Sequence, residues 1–170
     1  MKKTVCSLPH ADILPKVTEP LLRWYHAQET ERALPWREEV TPYHVWLSEI
    51  MLQQTRASAV IPYYHRFLEK LPAIEDLAAC DEDALMKLWQ GLGYYSRARN
   101  LQKAARELVA AYEGQLPADF AALLKLPGIG RYTASAIGSI AFGLPLPAVD
   151  GNILRVVMRV LACGEDIAQP

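Results

Sequence analysis

The sequence predicts an all-α protein, on three observations. Apolar residues recur every three or four positions through successive stretches of the 170-residue chain. Strand-like alternation competes nowhere, and no internal repeat or low-complexity tract interrupts the pattern. Leu126-Pro127-Gly128-Ile129-Gly130-Arg131-Tyr132-Thr133-Ala134 sets a tight Gly-rich turn between two helical patterns.

Residues 1–16 are mixed and hold Pro9 and Pro15, which predicts a loose arm. A helix is expected from about Glu19 to Ala27, with Leu21, Leu22, Trp24 and Tyr25 as its apolar positions. A charged link, Gln28 to Arg32, leads to the apolar-aromatic step Leu34-Pro35-Trp36-Arg37. Thr41-Pro42 opens a strong helix, with a hydroxyl at the cap and Pro at the first helical position. Tyr43, Val45, Trp46, Leu47, Ile50, Met51 and Leu52 make that helix apolar nearly all round, so it belongs in the middle of a domain.

Ala57 to Leu71 reads as a further helix, broken or started at Pro62. Asp81 caps the run from Glu82 to Gln90, which Gly91 and Gly93 end. Tyr95 to Tyr112 is a long amphipathic helix whose polar face is read as Arg97, Arg99, Lys103 and Arg106. Asp119 caps a short helix through Lys125. Beyond the Gly-rich turn, Ala134, Ile137, Ile140 and Ala141 continue at helical spacing to Gly143 and the Pro145/Pro147 pair. Asp150-Gly151-Asn152 then opens a helix carrying Ile153, Leu154, Val156, Val157, Val160 and Leu161. The sequence ends soon after, and the apolar face of this helix needs a partner: the N-terminal helix, or more chain.

Apolar residues make up 51 % and charged residues 22 %, which excludes a disordered chain. No apolar run approaches the ~20 residues of a membrane span. The N-terminus lacks the apolar core of a secretory signal, so the expected compartment is the cytoplasm. Cys6, Cys80 and Cys163 are far apart and in no metal-ligand spacing; they read as reduced packing residues. With 18 Lys and Arg against 19 Asp and Glu, nucleic acid is not held by bulk charge, and any such contact must come from a local patch.

Such a patch has candidates. A Gly-rich turn at a helix N-terminus offers unpaired backbone N–H groups to an anion, and Gly128 and Gly130 let a phosphodiester approach, with Arg131 beside them. Glu49 lies in a helix otherwise short of charge. It is either paired with an Arg of a neighbouring helix or turned to a cleft, where desolvation favours the protonated form a general acid needs. Asp150 before Gly151 reads as an N-cap, and a carboxylate fixed there also stays ionised and can steady a developing cation. Two carboxyls in contrasting environments suit cleavage at an anomeric carbon. Gln53 and Gln54 surface one turn after Glu49, where they either end a solvated helix or read a base edge. Tyr94 and Tyr95 sit on a tight turn beside Arg97 and Arg99. The rings either pack in a core or wedge into a base stack while the arginines hold phosphates.

Leu34-Pro-Trp-Arg37, Thr41-Pro-Tyr43, Val45-Trp-Leu-Ser-Glu-Ile-Met-Leu-Gln-Gln-Thr55, Trp89-Gln-Gly-Leu-Gly-Tyr-Tyr-Ser-Arg97, Leu126-Pro-Gly-Ile-Gly-Arg131 and Val149-Asp-Gly-Asn152 occur in this order. Together they resemble the catalytic domain of the MutY-type adenine DNA glycosylases, over about residues 17 to 165. The resemblance implies a helix-hairpin-helix glycosylase fold. Residues 32–146 would form a six-helix barrel with its hairpin at 126–131. Residues 1–31, with an incomplete stretch 147–170, would belong to a second, iron-sulfur module.

It implies an enzyme that flips adenine out of a duplex where it is mispaired with 8-oxoguanine or guanine, and hydrolyses its glycosidic bond. Glu49 matches the acid that protonates the departing base. Asp150 matches the carboxylate that steadies the sugar cation, facing Glu49 across the junction of the two modules. Trp36, Arg37 and Leu52 fall where the family lines its adenine pocket, and Gln54 and Tyr94 where it fills the stack; Gln53 and Asn152 join the binding set. Tyr132 replaces the Lys of bifunctional relatives of the endonuclease III type, which implies base removal without an efficient lyase step. The family's [4Fe–4S] cluster takes four cysteines that this sequence lacks; they are expected beyond residue 170, and no metal is expected on these residues. The implied partner is double-stranded DNA with an adenine mispair, met by a monomer in a bacterial cytoplasm, at the nucleoid. The rivals are an endonuclease III-like pyrimidine glycosylase/lyase and a DNA-binding scaffold without catalysis.

Overall fold

A computed structural model describes residues 10–27 and 34–164. The link at 28–32, Cys6 and the last residues of the chain lie outside these. Every regular element among the described residues is helical: a 3-10 turn at Ala11–Ile13, then α1 (Leu14–Ala27), α2 (Pro35–Glu38), α3 (Pro42–Leu52), α4 (Ala57–Lys70), α5 (Ile74–Ala79), α6 (Glu82–Trp89), α7 (Ser96–Ala111), α8 (Phe120–Leu123), α9 (Arg131–Phe142) and α10 (Gly151–Val160). The all-α expectation holds.

Two compact units divide the chain: Leu34–Ala148, and Met1–Ala33 with Val149–Pro170. The first is organised around α3. Thr41 accepts the His44 N–H at 3.1 Å and Pro42 occupies the first turn, so the helix starts where a hydroxyl and a fixed φ together place it. Trp46, Leu47 and Met51 are fully buried. α9 packs along one side of it, α4 and α7 along others. α9 approaches closely because its facing residues are small: Thr133, Ala134, Ser135, Ala136 and Gly138 are all buried. The Tyr43 hydroxyl donates to the Leu71 carbonyl at 3.0 Å and joins α3 to the end of α4.

The sequence-derived boundaries need correcting in several places. α1 starts at Leu14, not near Glu19, because Pro15 sits in a first turn where its missing N–H costs nothing. α4 runs unbroken through Pro62. Leu34-Pro35-Trp36-Arg37 is the start of a helical turn, with Pro35 at its first position. α5 has no counterpart in the sequence reading; it is six residues long, and the Asp76 carboxylate caps it by accepting the Ala73 N–H at 3.0 Å. It packs on α7.

In the other unit, α1 and α10 are amphipathic, and Leu21, Leu22, Trp24, Ile153, Leu154 and Val156 are exposed. Among the described residues no helix is long and apolar enough to cross a membrane.

Candidate nucleic-acid interface and catalytic residues

The turn after α8 is built from inside outward. Leu126 and Ile129 are buried, and the Ile129 N–H closes the turn on the Leu126 carbonyl at 3.1 Å. Between them Gly128 has φ +77°, and a Cβ there would meet the Asn100 Cβ at 2.9 Å, so only glycine fits. Gly130 is the N-cap of α9 and brings no side-chain cap with it; a Cβ there would meet nothing within 4 Å. The first turn of α9 thus has no side-chain cap and free space beside its N-cap residue, and such a helix start favours an anion. Arg131 stands exposed beside them, its guanidinium 5.7 Å from the Phe120 ring centre. Tyr132 is on the same first turn and is part-exposed at 39 %.

A second feature lies where α3 ends. Gln53, Gln54, Tyr94, Ser96 and Arg97 line an open hollow of about 460 Å³. One wall is the turn after α3 and the other the turn before α7. Each wall holds a non-glycine residue in left-handed backbone, Gln54 at φ +57° and Tyr94 at φ +47°. Such conformations cost on the order of 1 kcal/mol each and persist only when their surroundings impose them. The Gln53 amide reaches Thr133 Oγ1 on α9 at 3.5 Å, a long bond that steers Gln53 inward while Gln54 and Tyr94 stay exposed.

Arg97 overturns an expectation. The sequence reading places it on the polar face of α7 as a phosphate ligand, but it is only 8 % exposed. Its Nη1 donates to the carbonyls of Ile50 (2.9 Å), Met51 (3.0 Å) and Gln53 (2.6 Å). Its Nη2 donates to Leu92 O (3.0 Å), Gly93 O (3.2 Å) and Thr55 Oγ1 (3.4 Å). The last carbonyls of α3 have no partner within their helix, and a cation there is favoured by the helix dipole. The spacing already carries the signal: Arg97 stands four before Leu101 and eleven before Leu108, on the buried stripe. Arg99 does face out, paired with Glu82 at 2.8 Å.

Glu49 is half-buried on α3, between the buried Ser48 and Ile50. Trp36 is packed in the core, edge-on to Tyr64 with ring centres 5.5 Å apart, and Leu52 is part-buried against the same core. Arg37 is exposed on α2. None of these three lines the hollow. Sequence reasoning misses Ser96, which does, and Thr133, which Gln53 reaches.

Asp150 is the N-cap of α10, as the sequence predicts. Its Oδ1 accepts the Ile153 N–H at 2.8 Å and its Oδ2 accepts from the Asn152 amide at 2.9 Å; Asn152 in turn accepts from Arg155. The Ile153 N–H holds the carboxyl below its ordinary range; partial burial opposes this and Asn152 adds to it. The group is thus ionised at neutral pH. Since the folded-state pKa is the lower one, the cap stabilises α10 above the unfolded pKa and is lost as pH falls through the folded value. A ¹³C titration should place the Asp150 midpoint below ~3.9, the ordinary aspartate value, with Ile153 amide protection falling in the same range; a midpoint at the ordinary value contradicts the cap.

The three cysteines do not fit a [4Fe–4S] cluster, which takes four thiolates. Among the described residues no group of three or more His, Cys, Asp or Glu could hold a metal ion.

A Gly-rich turn opening an uncapped helix N-terminus, on an all-helical body built around α3 and α9, defines a helix-hairpin-helix protein. Residues 47–169 match the model of the HhH-GPD superfamily base excision DNA repair proteins, and the chain belongs to that superfamily. It is 47 % identical over 155 residues to the adenine DNA glycosylase of Rattus norvegicus, covering 86 % of this chain and 30 % of that protein. Against the adenine DNA glycosylase of Buchnera aphidicola subsp. Baizongia pistaciae it is 46 % identical over 141 residues, 83 % of this chain and 40 % of the relative. The chain thus spans well under half the length of these curated relatives. Among solved structures, a non-covalent endonuclease III–DNA complex superposes with a TM-score of 0.71 at 29 % identity, over 89 % of this chain and 74 % of that one.

Proposed function

We propose that this chain is the catalytic part of an adenine-specific DNA glycosylase of base excision repair. Its substrate is adenine mispaired with 8-oxoguanine or guanine in double-stranded DNA, and it flips the adenosine before hydrolysing the glycosidic bond. The observation that carries the reading is the hollow at the end of α3, where Gln54 and Tyr94 are held exposed in strained backbone. Flat, polar-edged side chains presented this way suit the gap that a flipped base leaves in the stack.

In this reading Glu49 protonates the leaving adenine. The C1′–N9 bond breaks with its electrons passing to the base, and Asp150 steadies the sugar cation until water adds. Trp36, Arg37 and Leu52 belong to the adenine-binding set, joined by Gln53 and Asn152. Gly128, Gly130 and Arg131 take a phosphate through backbone N–H groups and charge, with Arg99 in a supporting place. Tyr132 brings no amine to the sugar, so no Schiff base forms and strand cleavage is left to a later enzyme.

Residues 32–146 are then the six-helix barrel, with the N-terminal helix and residues from 147 onward in a second module. A [4Fe–4S] cluster in a longer form of the protein takes its cysteines from beyond residue 170. The enzyme works as a monomer, in the cytoplasm at the nucleoid.

The test uses the full-length protein and a duplex with one adenine opposite 8-oxoguanine, assayed with and without alkali. Adenine release with strand breaks only after alkali is expected. Breaks without alkali identify a lyase and refute the role given to Tyr132. Binding without release, by a protein that is folded, leaves a DNA-binding scaffold.

A further inference from the structure

Both walls of the hollow are turns that would relax if left alone, and both end on the same side chain. The Nη1 of Arg97 serves only the end of α3, through Ile50, Met51 and Gln53. Its Nη2 spans from Thr55 on that wall to Leu92 and Gly93 on the other. The guanidinium also lies 5.5 Å from the Trp89 ring centre and 5.6 Å from that of Tyr94, so the exposed tyrosine is drawn toward the same group. The Trp89 indole N–H donates to Gly93 O at 3.1 Å and steadies the second wall from below.

We infer that Arg97 is the positioning residue of the hollow: its rigid fork sets the separation of the two turns and so holds Gln54 and Tyr94 in their left-handed conformations. The chemistry requires arginine. A planar guanidinium has donors on separate nitrogens at a fixed spacing, so Nη1 can stay on the end of α3 while Nη2 crosses to the other wall, whereas lysine offers one rotatable ammonium and no fixed fork to set that spacing. Five backbone carbonyls and one hydroxyl, rather than a carboxylate, receive the charge, so the fork answers chiefly to backbone position. The role of the hollow in DNA rests on the proposed function; the bracing of its walls does not.

Amide hydrogen exchange tests the bracing directly. The Thr55 N–H closes the first turn on Leu52 O at 3.1 Å, and the Leu92 N–H closes the second on Trp89 O at 3.1 Å. In Arg97→Lys both amides should exchange about tenfold faster or more, the loss of charge-assisted bonds, while Leu101 and Ala104 in α7 keep their protection. Binding to the adenine-mispaired duplex should fall toward the matched-duplex level, with matched-duplex affinity within about twofold of the parent, since the phosphate contacts are untouched. Arg97→Met, which removes charge and fork together, should show the same pattern more strongly.

Wild-type exchange at both turns in Arg97→Lys, or acceleration at one turn only, overturns the inference: Arg97 would then be a helix cap. Equal loss of protection throughout α7, or failure of both variants to fold, also overturns it. If the parent protein shows no preference for the mispair, the proposed function fails while the exchange arm still decides the bracing.

Discussion

Replacing Glu49 by Gln is expected to lower the rate of adenine release by about 10²–10⁴-fold and to leave affinity for the same duplex unchanged. Gln has the size and shape of Glu and still donates and accepts hydrogen bonds, but it has no proton to give a departing base. The position suits a group whose proton matters. α3 has no other acidic residue, and Glu49 is half-buried between two buried neighbours, so it meets less water than a surface carboxylate. Single-turnover release on a duplex with adenine opposite 8-oxoguanine measures the chemical step, and binding to the same duplex is measured separately. Full activity in Glu49→Gln would make the glutamate a structural group and remove it from the proposed mechanism.

Trp89→Ala should cost about 3–5 kcal/mol of stability. The indole is fully buried at the end of α6 and packs edge-on to Phe67 with ring centres 6.1 Å apart. Removing it leaves a cavity, strips Gly93 O of the indole donor and takes away the ring beside Arg97. Thermal unfolding should move down by about 10–20 °C for a domain of this size. Val109→Ala on the exposed side of α7 provides the contrast and should change stability by less than about 0.5 kcal/mol. A small shift for Trp89→Ala would mean that the unit repacks around the gap.

Local signals place most of the helices. Thr41, Asp81, Asp119 and Asp150 each cap the helix they precede, because a short acceptor before an apolar stripe has few other uses. The Gly-rich turn is also readable, since its two glycines answer two separate demands: a close approach to Asn100, and open space before α9. α5 escapes because six residues hold too little periodicity to register, and its stability comes from packing on α7. The start of α1 is displaced because Pro15 reads as a breaker, whereas in a first turn it is no obstacle.

Arg97 is misplaced for a different reason. Its charge suggests solvent, although the stripe of Leu101, Ala104, Ala105 and Leu108 runs through its position. The hollow itself depends on backbone angles at Gln54 and Tyr94, residue types that rarely adopt them. No periodicity reports such angles; they follow from what the two turns are fastened to.

Asn100 stands one turn along α7 from Arg97, and its Cβ lies 2.9 Å from where a Cβ on Gly128 would be. One rod of helix thus touches both the hollow and the Gly-rich turn, at points about 4.5 Å apart along its axis at 1.5 Å per residue. That interval works as a gauge. On the proposed function, a phosphate seated at the turn and the side chains that fill the stack from the hollow are spaced by helical rise, which holds steady while surface loops vary. Lengthening α7 beyond Ala111 would leave the gauge intact, whereas one residue inserted between Arg97 and Asn100 would rotate the two grips about 100° apart and leave each surface whole but out of step with the other.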